Sequence, residues 1–385
     1  MTIVIISRGI PSTKYPQLGC FELDQAKALK RAGHKVIMLA LDGAIGKRWK
    51  KIGLHRSHIE DVACYEFFGL PSIYIRKFFS SKKGLDFESL ILKRIFSKII
   101  KENGKIDLIH AHFLFQIYTG TKLKHWFNIP LVGTEHLSSL TESPINPTIA
   151  KLAHLTYPKT NGLISVSENL RKRIIELSGR ESKVIHNLID TSNLKPALEL
   201  TSNKVFTIIG LGSLIKRKGF DILINAFAES YLKDEMVILK IIGGGEEKDR
   251  LQRLIKDKGL ENQIVLSGTM TKKEIFEELH NADLFVLPSR LENFSVAIIE
   301  ATANGVPAIA TLCGGIEEYP VPNVTKIPVD DVNALKVALE TNFKNSKKIN
   351  RKEIQDITLQ HFSPENIARE IEMVYKEVLS DINYE

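Results

Sequence analysis

The sequence predicts an α/β protein built from two similar units, and three observations predict it. Short apolar runs alternate with amphipathic segments in the first half, a polar stretch at 190–204 interrupts them, and the alternation then restarts. Apolar strands separated by helices are typical of parallel sheets covered on both faces. A length of 385 residues also favours more than one core. Such sheets bind ligands beyond the carboxyl ends of their strands, so we expect a site in the cleft between two units.

Six apolar runs in the first half are predicted strands: 3–7, 35–40, 107–112, 130–136, 162–168 and 183–189. Between the first two lies FELDQAKALKRAG (21–33), an amphipathic helix that Gly33 would end as a C-cap. The segment 75–105 mixes Phe, Leu and Ile with many lysines. A basic amphipathic helix of this kind either packs on its own domain or lies on an anionic membrane, and the sequence leaves both alternatives open.

The stretch DTSNLKPALELTSNK (190–204) is the candidate linker, because it is rich in turn-forming residues. It divides the chain into an N-terminal domain, 1–198, and a C-terminal domain, 199–385. The second domain holds five predicted strands with helices between them: 204–212, 237–245, 263–269, 283–289 and 307–311. The chain ends in a long amphipathic helix at 364–379.

Composition excludes several classes of protein. The chain is 43% hydrophobic and 25% charged, as in soluble globular proteins. Cys20, Cys64 and Cys313 form no CxxC motif, which argues against a disulfide scaffold or a structural zinc site and fits a reducing compartment. The N-terminal run predicts a first strand rather than a signal peptide, and no stretch has the length of a membrane span. We therefore expect a cytoplasmic protein.

Charge is distributed unevenly along the chain. Residues 1–200 hold 30 Lys and Arg against 17 Asp and Glu, whereas residues 201–385 hold 23 against 28. A basic half suggests an anionic partner such as a membrane surface, a phosphorylated lipid or a nucleic acid, although solvated surface lysines explain it equally well. No stacking or groove-binding motif accompanies the charge, so we expect no nucleic-acid partner.

The segment SRLENFSVAIIEATANGVPAIATLCGG (289–315) places two carboxylates, Glu292 and Glu300, after an apolar strand. Ser295 is the expected N-cap of the helix that carries Glu300. A carboxylate on a nearly apolar helix is costly unless it is hydrogen-bonded, and Glu300 suits the two hydroxyls of a ribose. Free amides at the helix start would favour a phosphate; they belong to Asn293, Phe294, Ser295 and Val296. Two purely structural carboxylates are the alternative.

Two glycine-containing turns follow other strands of the second half. In GLGSLIKRKGFD (210–221), a basic cluster precedes a helix predicted to begin near Phe220, and a lysine there can neutralise a diphosphate. Solvent-facing lysines are the common alternative. In IIGGGEEKDRL (241–251), the glycines around Gly244 let the backbone approach a ligand closely, without forming a GxGxxG dinucleotide motif.

The first half contributes a loop and a histidine. The loop 7–25, which contains Gly9 and Gly19, follows the first strand and is expected to rim an active site. GTEHLSS places His136 at the end of an apolar strand. HAH at 110–112 puts two histidines on one strand face but lacks a third ligand, and the chain has no DxD motif. We therefore expect neither a metal nor another cofactor.

Together these motifs resemble the family-4 glycosyltransferases, whose GT-B fold has two Rossmann-like domains facing each other across a cleft and a C-terminal helix that packs back toward the N-terminal domain. The resemblance covers nearly the whole chain, and its most specific part is the Glu-x7-Glu signature in a strand–loop–helix context. Its segments are FELDQAKALKRAGHKV, DLIHAHF, TEH, SVSENLR, VIHNLID, GSLIKRKGFD, IIGGGEEKDRL, SGTMTKKEIFEEL and ADLFVLPSRLENFSVAIIEATANGVPAIAT.

The resemblance implies a retaining transfer from a nucleotide-diphosphate sugar to a glycan or lipid-linked acceptor, with no metal required. Its setting would be cell-surface polysaccharide biosynthesis, in the cytoplasm or peripherally on the inner membrane face. His136, Lys218 and Glu292 match the catalytic positions, with Glu292 on the transferred sugar and Lys218 on the diphosphate. The implied donor-binding residues are Gly19, Ser213, Arg217, Gly244, Thr269, Asn293, Phe294, Ser295, Val296 and Glu300, of which Glu300 would hold the ribose.

Three departures from the family pattern stand out. Ser213 occupies a position where many members have an arginine, and Arg217 or Lys216 would have to replace that cation. Gly19-Cys20 stands for a usual pair of glycines, and Glu292-Asn293-Phe294-Ser295 for a usual Glu-Gly-Phe-Gly. Two alternatives therefore stay open: a nucleotide-sugar epimerase of the same fold, and a nucleotide-sugar-binding scaffold without catalysis.

Overall fold

The computed structural model describes residues 1–12, 18–42, 52–69, 82–198 and 205–382. The chain forms two compact units: unit 1 comprises Met1–Leu188 with Pro364–Glu385, and unit 2 comprises Ile189–Ser363. The division at 198 and 199 drawn from the sequence follows chain order, whereas contacts assign the C-terminal helix to unit 1. Part of the candidate linker (199–204) and the start of the lysine-rich segment (75–81) lie outside the described residues.

Unit 1 is built on an eight-stranded sheet in the order β3-β4-β2-β1-β5-β6-β7-β8. Its strands are β1 (Thr2–Ser7), β2 (Lys35–Asp42), β3 (Gly53–Ile59), β4 (Val62–Phe68), β5 (Leu108–His112), β6 (Leu131–Glu135), β7 (Gly162–Ser165) and β8 (Lys183–Val184). All neighbouring pairs are parallel except β3 and β4. The apolar runs of the sequence are therefore strands with both faces covered, as predicted.

The antiparallel β3–β4 hairpin was missed in the sequence, and its turn explains why. Glu60 and Asp61 have φ values of +45° and +66°, so both central residues of the turn are left-handed. Such turns match the twist of a hairpin and are usually made by Asn-Gly or Asp-Gly. Because Glu60-Asp61 is neither of these pairs, the sequence predicted neither the turn nor the two strands on either side of it.

Among its described residues, unit 1 has six helices: α1 (Cys20–Arg31), α2 (Lys82–Asn103), α3 (Phe113–Phe127), α4 (Pro147–Thr156), α5 (Glu168–Ser178) and α12 (Pro364–Ile382). The last of these packs on α1, and its apolar face joins the core of the first sheet. Ile367, Ile371 and Tyr375 are buried there together with Ile3 and Met38. The C-terminal helix thus completes the hydrophobic core of a sheet formed almost entirely by the beginning of the chain.

Unit 2 contains a six-stranded, fully parallel sheet in the order β11-β10-β9-β12-β13-β14. Its strands are β9 (Phe206–Leu211), β10 (Val237–Ile242), β11 (Ile264–Gly268), β12 (Leu284–Leu287), β13 (Ala308–Thr311) and β14 (Val324–Ile327). Its helices are α6 (Phe220–Glu229), α7 (Lys248–Asp257), α8 (Lys272–Asn281), α9 (Val296–Ala303), α10 (Val332–Asn345) and α11 (Arg351–Phe362). The first strand, β9, lies between β10 and β12, so the direction in which the sheet grows reverses there.

Several predicted boundaries shift in the structure. The run 183–189 forms only the two-residue strand β8, and the chain then leaves the sheet: the Ile189 amide donates to the Phe362 carbonyl at 3.0 Å in unit 2. The C-cap of α1 is Ala32, and Gly33 follows it with a φ of +91°. Ser295 is at the N-cap position of α9 as predicted, but its side chain makes no capping hydrogen bond.

Candidate active site

The reversal between β9 and β12 brings the predicted catalytic carboxylate and lysine of unit 2 together. Lys218 lies in the turn after β9, and Glu292 lies in the loop after β12. Open parallel sheets bind ligands outside the strand ends at such a reversal. The Lys218 Nζ donates to Glu292 Oε1 at 2.5 Å. Residues 74 positions apart in sequence therefore form an ion pair at the point where the fold favours a ligand.

Glu292 is buried, with 7% of its surface exposed, and it has several cationic or polar partners. The hydroxyl of Ser289 donates to Oε1 at 2.8 Å, and Arg217 Nη1 approaches Oε2 at 3.5 Å. Arg217 Nη1 also donates to the Leu291 carbonyl at 2.7 Å. The arginine therefore fixes the backbone of this loop in addition to pairing with the Glu292 carboxylate. Because a buried carboxylate is costly unless paired and hydrogen-bonded, this set of donors explains why Glu292 is tolerated.

Glycines let the strand-end loops of unit 2 approach one another through their backbones. A Cβ on Gly219 would lie 1.9 Å from the Pro288 carbonyl oxygen, and one on Gly243 would lie 1.8 Å from that of Gly212. A Cβ on Gly315 would meet the Asn293 carbonyl oxygen at 1.9 Å. All three distances are shorter than any van der Waals contact. The glycines noted in the sequence are thus required by packing between loops, whatever the loops bind.

The other candidates after β9, β10 and β11 lie beside these loops. The Leu214 amide donates to the Gly244 carbonyl at 2.9 Å, which places the exposed Ser213 next to the glycine run. A Cβ on Gly244 would lie 3.0 Å from the Thr269 methyl carbon. Ser213, Gly244 and Thr269 therefore line one edge of the sheet at adjacent strand ends. Gly268, with a φ of +74°, turns the chain there.

The position of Glu300 on α9 explains how a nearly apolar helix carries a carboxylate. Val296, Ala297 and Glu300 are half-buried, whereas Ile298 and Ile299 are fully buried. Positions three and four apart share a helix face, so Glu300 lies on the one face of α9 that is partly exposed. Most side chains of α9 are apolar, but the face that carries Glu300 is not fully buried.

The loop before α9 does not need the glycines that the family pattern has at two of its positions. Neither Asn293 nor Ser295 has a positive φ; that of Ser295 is −83°. Phe294 is 7% exposed, and its ring packs near Tyr319 and Phe362 at centroid distances of 6.0 and 5.6 Å. The phenyl side chain therefore anchors the loop in the core of unit 2, and only its backbone is left to meet a ligand.

In unit 1, the corresponding reversal lies between β1 and β5, and His136 and Gly19 lie close to it. His136 directly follows β6, and Gly19 precedes α1 with a φ of +76°. A Cβ on Gly19 would lie 2.0 Å from the Gly9 carbonyl oxygen, so this glycine closes the loop onto itself. Two residues later, the ring of Phe21 stacks with that of His136 at 6.3 Å.

His136 belongs to a row of stacked histidines. Its Nε2 lies 3.1 Å from Nδ1 of His112, and the two rings are stacked at 5.3 Å. His110 stacks on His112 at 4.6 Å, and its nitrogens contact the hydroxyls of Tyr375 at 2.6 Å and Thr134 at 2.7 Å. The structure supplies a third histidine beside the HAH pair, yet the rings stack instead of converging. Within the described ranges, no group of three or more His, Cys, Asp or Glu is arranged to hold a metal ion.

Burial keeps these imidazoles uncharged. Burial, together with the positive charge of Arg8, lowers the pKa of His136 to about 3, although a hydrogen bond with Asn187 acts in the opposite direction. Burial also lowers the pKa of His112 well below its usual value, with His136 and Arg8 adding to the effect. At neutral pH, His136 is therefore a neutral ring that donates one hydrogen bond and accepts another.

Glu135 positions the backbone that carries His136. Its Oε1 accepts hydrogen bonds from the amides of His136 and Leu137 at 2.9 and 2.8 Å, and its Oε2 accepts one from the Tyr157 hydroxyl at 2.6 Å. Burial raises the pKa of this fully enclosed carboxyl to about 7, while these donors act to lower it. Neither Glu135 nor Ser289 was among the candidates that the sequence indicated. Their positions near a strand end, one residue before His136 and three residues before Glu292, were the signal that could have found them.

Two family models match consecutive parts of the chain. Residues 23–193 match the model described as Glycosyltransferase Family 4, and residues 193–356 match that described as Glycosyl transferases group 1. The chain belongs to the family-4, group-1 glycosyltransferases. Each model covers one of the two Rossmann-like halves, and together they contain all the site candidates except Gly19.

Two curated relatives illustrate the similarity of this glycosyltransferase to known proteins. It is 27% identical to an uncharacterized glycosyltransferase of Methanocaldococcus jannaschii, over 98% of this chain and 100% of that protein. It is 24% identical to a phosphatidylinositol N-acetylglucosaminyltransferase subunit of Arabidopsis thaliana, over 74% of this chain and 65% of that protein.

Solved structures show the same fold. Sucrose-phosphate synthase from Thermosynechococcus elongatus superposes with a TM-score of 0.79 at 18% identity, over 99% of this chain and 100% of that chain. Anabaena HepE in complex with UDP-glucose superposes with a TM-score of 0.70 at 20% identity, over 99% and 100%. The predicted GT-B fold class is confirmed. No helix in the described part of the glycosyltransferase combines the length and apolarity that a membrane crossing requires.

Proposed function

We propose that this glycosyltransferase transfers a sugar from a UDP- or GDP-sugar to a glycan or lipid-linked acceptor, with retention of anomeric configuration. The ion pair of Lys218 with Glu292 at the reversal of the second sheet is the observation that carries this proposal. A nucleoside diphosphate is an anionic leaving group, and its developing charge must be stabilised where the bond breaks. Anabaena HepE, which shares the fold, has a crystal structure in complex with UDP-glucose.

In this proposal, each element of the site in unit 2 has one task. Lys218 and Arg217 neutralise the diphosphate, and the ammonium of Lys218 has three donors, so it contacts a phosphate without releasing Glu292. Glu292 accepts hydrogen bonds from the transferred sugar, and Glu300, on the partly exposed face of α9, accepts them from the ribose. The amides of Asn293 to Val296 meet the phosphate or sugar, and the backbone near Gly244 and Thr269 holds the base.

The transfer itself requires little proton chemistry from the protein. The bond between the anomeric carbon and the diphosphate oxygen breaks, and a bond from the same carbon to the acceptor oxygen forms. The acceptor proton passes to the departing diphosphate, while neutral His136 hydrogen-bonds the sugar or phosphate. No metal ion is needed in this scheme, since Lys218 and Arg217 supply the positive charge.

Calorimetric titration with a panel of nucleoside diphosphates and their sugars tests the donor site. We expect tight binding of one base by the wild type and at least a tenfold weaker binding by Glu300→Ala, which is about 1.4 kcal/mol. Glu229→Ala, a substitution in the last turn of α6, is the control and should bind like the wild type. Binding of no nucleotide, or binding indifferent to Glu300, would contradict the proposal.

We further propose that α2 docks the enzyme on an anionic membrane at the inner face, in cell-surface polysaccharide biosynthesis. Phe87 and Leu90 are 51% and 52% exposed on α2. The same helix face carries exposed basic residues at helical spacing: Lys83, Arg94, Lys98 and Lys101. Apolar side chains inside a basic rim are suited to the interface of an anionic bilayer. One relative is a phosphatidylinositol N-acetylglucosaminyltransferase subunit, which supports a lipid acceptor.

Flotation with vesicles of mixed anionic and neutral phospholipids tests this docking. We expect the wild type to float at low salt and the double variant Phe87→Ser/Leu90→Ser to stay at the bottom. Val337→Ser removes another half-exposed apolar side chain, on α10, and should float like the wild type. Failure of the wild type to float at low salt would refute membrane docking.

A further inference from the structure

A cation at the end of β1 has no role in the function proposed so far. Arg8 directly follows this strand, beside the reversal between β1 and β5. Its charge acts on His112, His136 and Glu135, whose pKa values it lowers, so the guanidinium lies close to the histidine of the candidate site. Ligands of parallel sheets bind at this place in the fold.

Two neighbours hold the guanidinium in position. Its Nε donates to Glu22 Oε1 at 3.1 Å, and the Arg8 amide approaches the same oxygen at 3.3 Å. Its central carbon lies 3.6 Å from the centroid of the Phe113 ring, a close cation–π contact. A guanidinium clamped between a carboxylate and an aromatic face loses little freedom when it binds a ligand, and is therefore preorganised.

Two features of the cluster formed by Arg8, Glu22 and Phe113 are energetically unfavourable. Phe113 has a φ of +67°, an uncommon backbone conformation for a bulky side chain. Glu22 is fully buried, and its Oε2 has no hydrogen-bond partner among the described residues. Burying a carboxylate is costly unless its oxygens are paired and hydrogen-bonded, and one oxygen of Glu22 is not. Strain and an unsatisfied carboxylate in one cluster point to a functional constraint.

In the pair of Arg8 and Glu22, the guanidinium is partly exposed to solvent and the carboxylate is not. The side chain of Arg8 is 33% exposed, whereas that of Glu22 is 0% exposed. Glu22 occupies the Nε edge, and within the part of the chain that the structure describes, no hydrogen bond involves the two terminal nitrogens of Arg8. Those two nitrogens form the fork that matches two oxygens of a phosphate.

We propose that Arg8 binds a phosphate group of a substrate, with Glu22 and Phe113 as its positioning residues. The proposal rests on the function proposed above, because both substrates of that reaction can carry phosphate. The phosphate is either the diphosphate of the sugar donor or a phosphate of the acceptor.

Steady-state kinetics of Arg8→Gln separates the two sources of phosphate. We expect the KM of one substrate to rise at least tenfold, with kcat within threefold of the wild type; the donor or the acceptor is identified by which KM rises. Arg8→Lys keeps the charge but not the fork, and should give an intermediate KM. Arg31→Gln, at the exposed end of α1, has the same loss of charge and should leave both KM values unchanged.

Arg8→Gln leaves the buried Glu22 carboxylate without its cation, so the variant Arg8→Gln/Glu22→Gln is prepared as well. It removes both charges together, and a thermal melt close to that of the wild type identifies it as folded. It should reproduce the KM change of the single variant. KM values for both substrates within twofold of the wild type in a folded Arg8 variant would overturn the proposal.

A second measurement does not depend on transfer activity. Inorganic pyrophosphate is titrated calorimetrically into Lys218→Gln, which removes the lysine of unit 2, and into Lys218→Gln/Arg8→Gln. We expect at least fivefold weaker binding when Arg8 is absent, and equal binding in both would overturn the proposal. If Arg8 matters for pyrophosphate while the wild type transfers no sugar from any donor, the phosphate site stands and the proposed function fails.

Discussion

The contact between Lys218 and Glu292 links the stability of the protein to the activity that we propose, because both residues are assigned to the donor site. Both side chains are mostly buried, with 14% and 9% of their surfaces exposed. Removing one partner of a buried pair leaves the other as an uncompensated charge, which costs more than the pair itself contributes. A loss of activity on mutating either residue therefore has to be separated from a loss of stability.

A double-mutant cycle makes that separation. We expect Lys218→Met to lower the free energy of unfolding by about 3 kcal/mol, since Glu292 then stays buried with only Arg217 and Ser289 as partners. Adding Glu292→Gln should restore part of that loss, giving a coupling energy of at least about 1 kcal/mol. Urea denaturation of the four proteins measures it, and strictly additive changes would show that the pair is not energetically coupled.

Glu135 lets a pH dependence of stability be predicted with its sign. Burial raises the pKa of this carboxyl from 4.5 to about 7, so between these values the folded protein keeps a proton that the unfolded chain releases. The free energy of unfolding should then fall as the pH rises from 4.5 to 7, by up to about 3 kcal/mol, and level off above pH 7.

Glu135→Gln should lose this part of the pH dependence while keeping both amide bonds to its side-chain oxygen. Glu142→Gln, an exposed change in the same unit, is the control and should titrate like the wild type. Thermal melts between pH 4 and 8 provide the measurement. Parallel curves for wild type and Glu135→Gln would show that folding does not raise the pKa of Glu135.

Helix α1 begins directly after Gly19, which is one of the predicted donor-binding residues. Gly19 and Gly33 flank the helix, and both have positive φ values, +76° and +91°. A Cβ on Gly19 would collide with the Gly9 carbonyl at 2.0 Å, whereas a Cβ on Gly33 would have nothing within 4 Å. A substitution at Gly33 therefore reports the cost of a positive φ alone, whereas one at Gly19 reports that cost together with a backbone collision.

We expect Gly33→Ala to destabilise the protein by about 1 kcal/mol, the cost of a left-handed alanine. Gly19→Ala should cost at least about 3 kcal/mol, or shift the loop and displace Phe21 from His136, because it adds a steric conflict to the same strain. Denaturation midpoints and sugar-transfer rates of both variants test this. Equal destabilisation would mean that the loop relaxes around a new methyl group without consequence.

The start of helix α9 differs from the start of helix α8. Ser295 is at its N-cap position without a side-chain hydrogen bond, whereas Thr271 at the start of α8 forms a complete capping box with Glu274. An uncapped helix start leaves amides that a phosphate can satisfy. This contrast within one unit supports our proposal that a phosphate or sugar meets the start of α9.

The C-terminal helix α12 stabilises the sheet that the beginning of the chain forms. Helix α12 contributes Tyr375, which is fully buried and contacts His110 at 2.6 Å, and Glu372, which contacts His34 at 2.7 Å. Val374 and Val378 pack against Gly162 of β7, where a Cβ would meet their methyl carbons at 3.1 and 2.9 Å. Unit 1 therefore cannot complete its core until the last residues are in place.

A chain that ends at Ser363 tests this dependence. Without α12, the sheet of unit 1 exposes a row of apolar side chains, so we expect residues 1–188 to be digested rapidly while 189–363 stays protected. A chain ending at residue 382 is the control and should resist proteolysis like the full-length protein. Equal protection of 1–188 in both chains would show that α12 is dispensable for folding of unit 1.

Local sequence determined most of the elements of this protein. Apolar runs bounded by polar segments predicted eleven strands that the structure contains, because parallel strands covered on both faces must be apolar throughout. The pair Glu292 and Glu300 stood out since a carboxylate on an apolar helix needs a reason. Local patterns missed a hairpin whose Glu60-Asp61 turn has no glycine, the edge strand β14 (Val324–Ile327) and the early end of β8.

Only the tertiary structure decided which residues meet. The sequence cannot show that Lys218 reaches Glu292, since the contact follows from β9 lying next to β12 and not from any local pattern. The same holds for His112 beside His136 and for Arg8 between Glu22 and Phe113. A sequence specifies the elements through short-range periodicity, but strand order is set by packing between distant segments. In this protein, Lys218 and Glu292 of the proposed site meet where that order reverses.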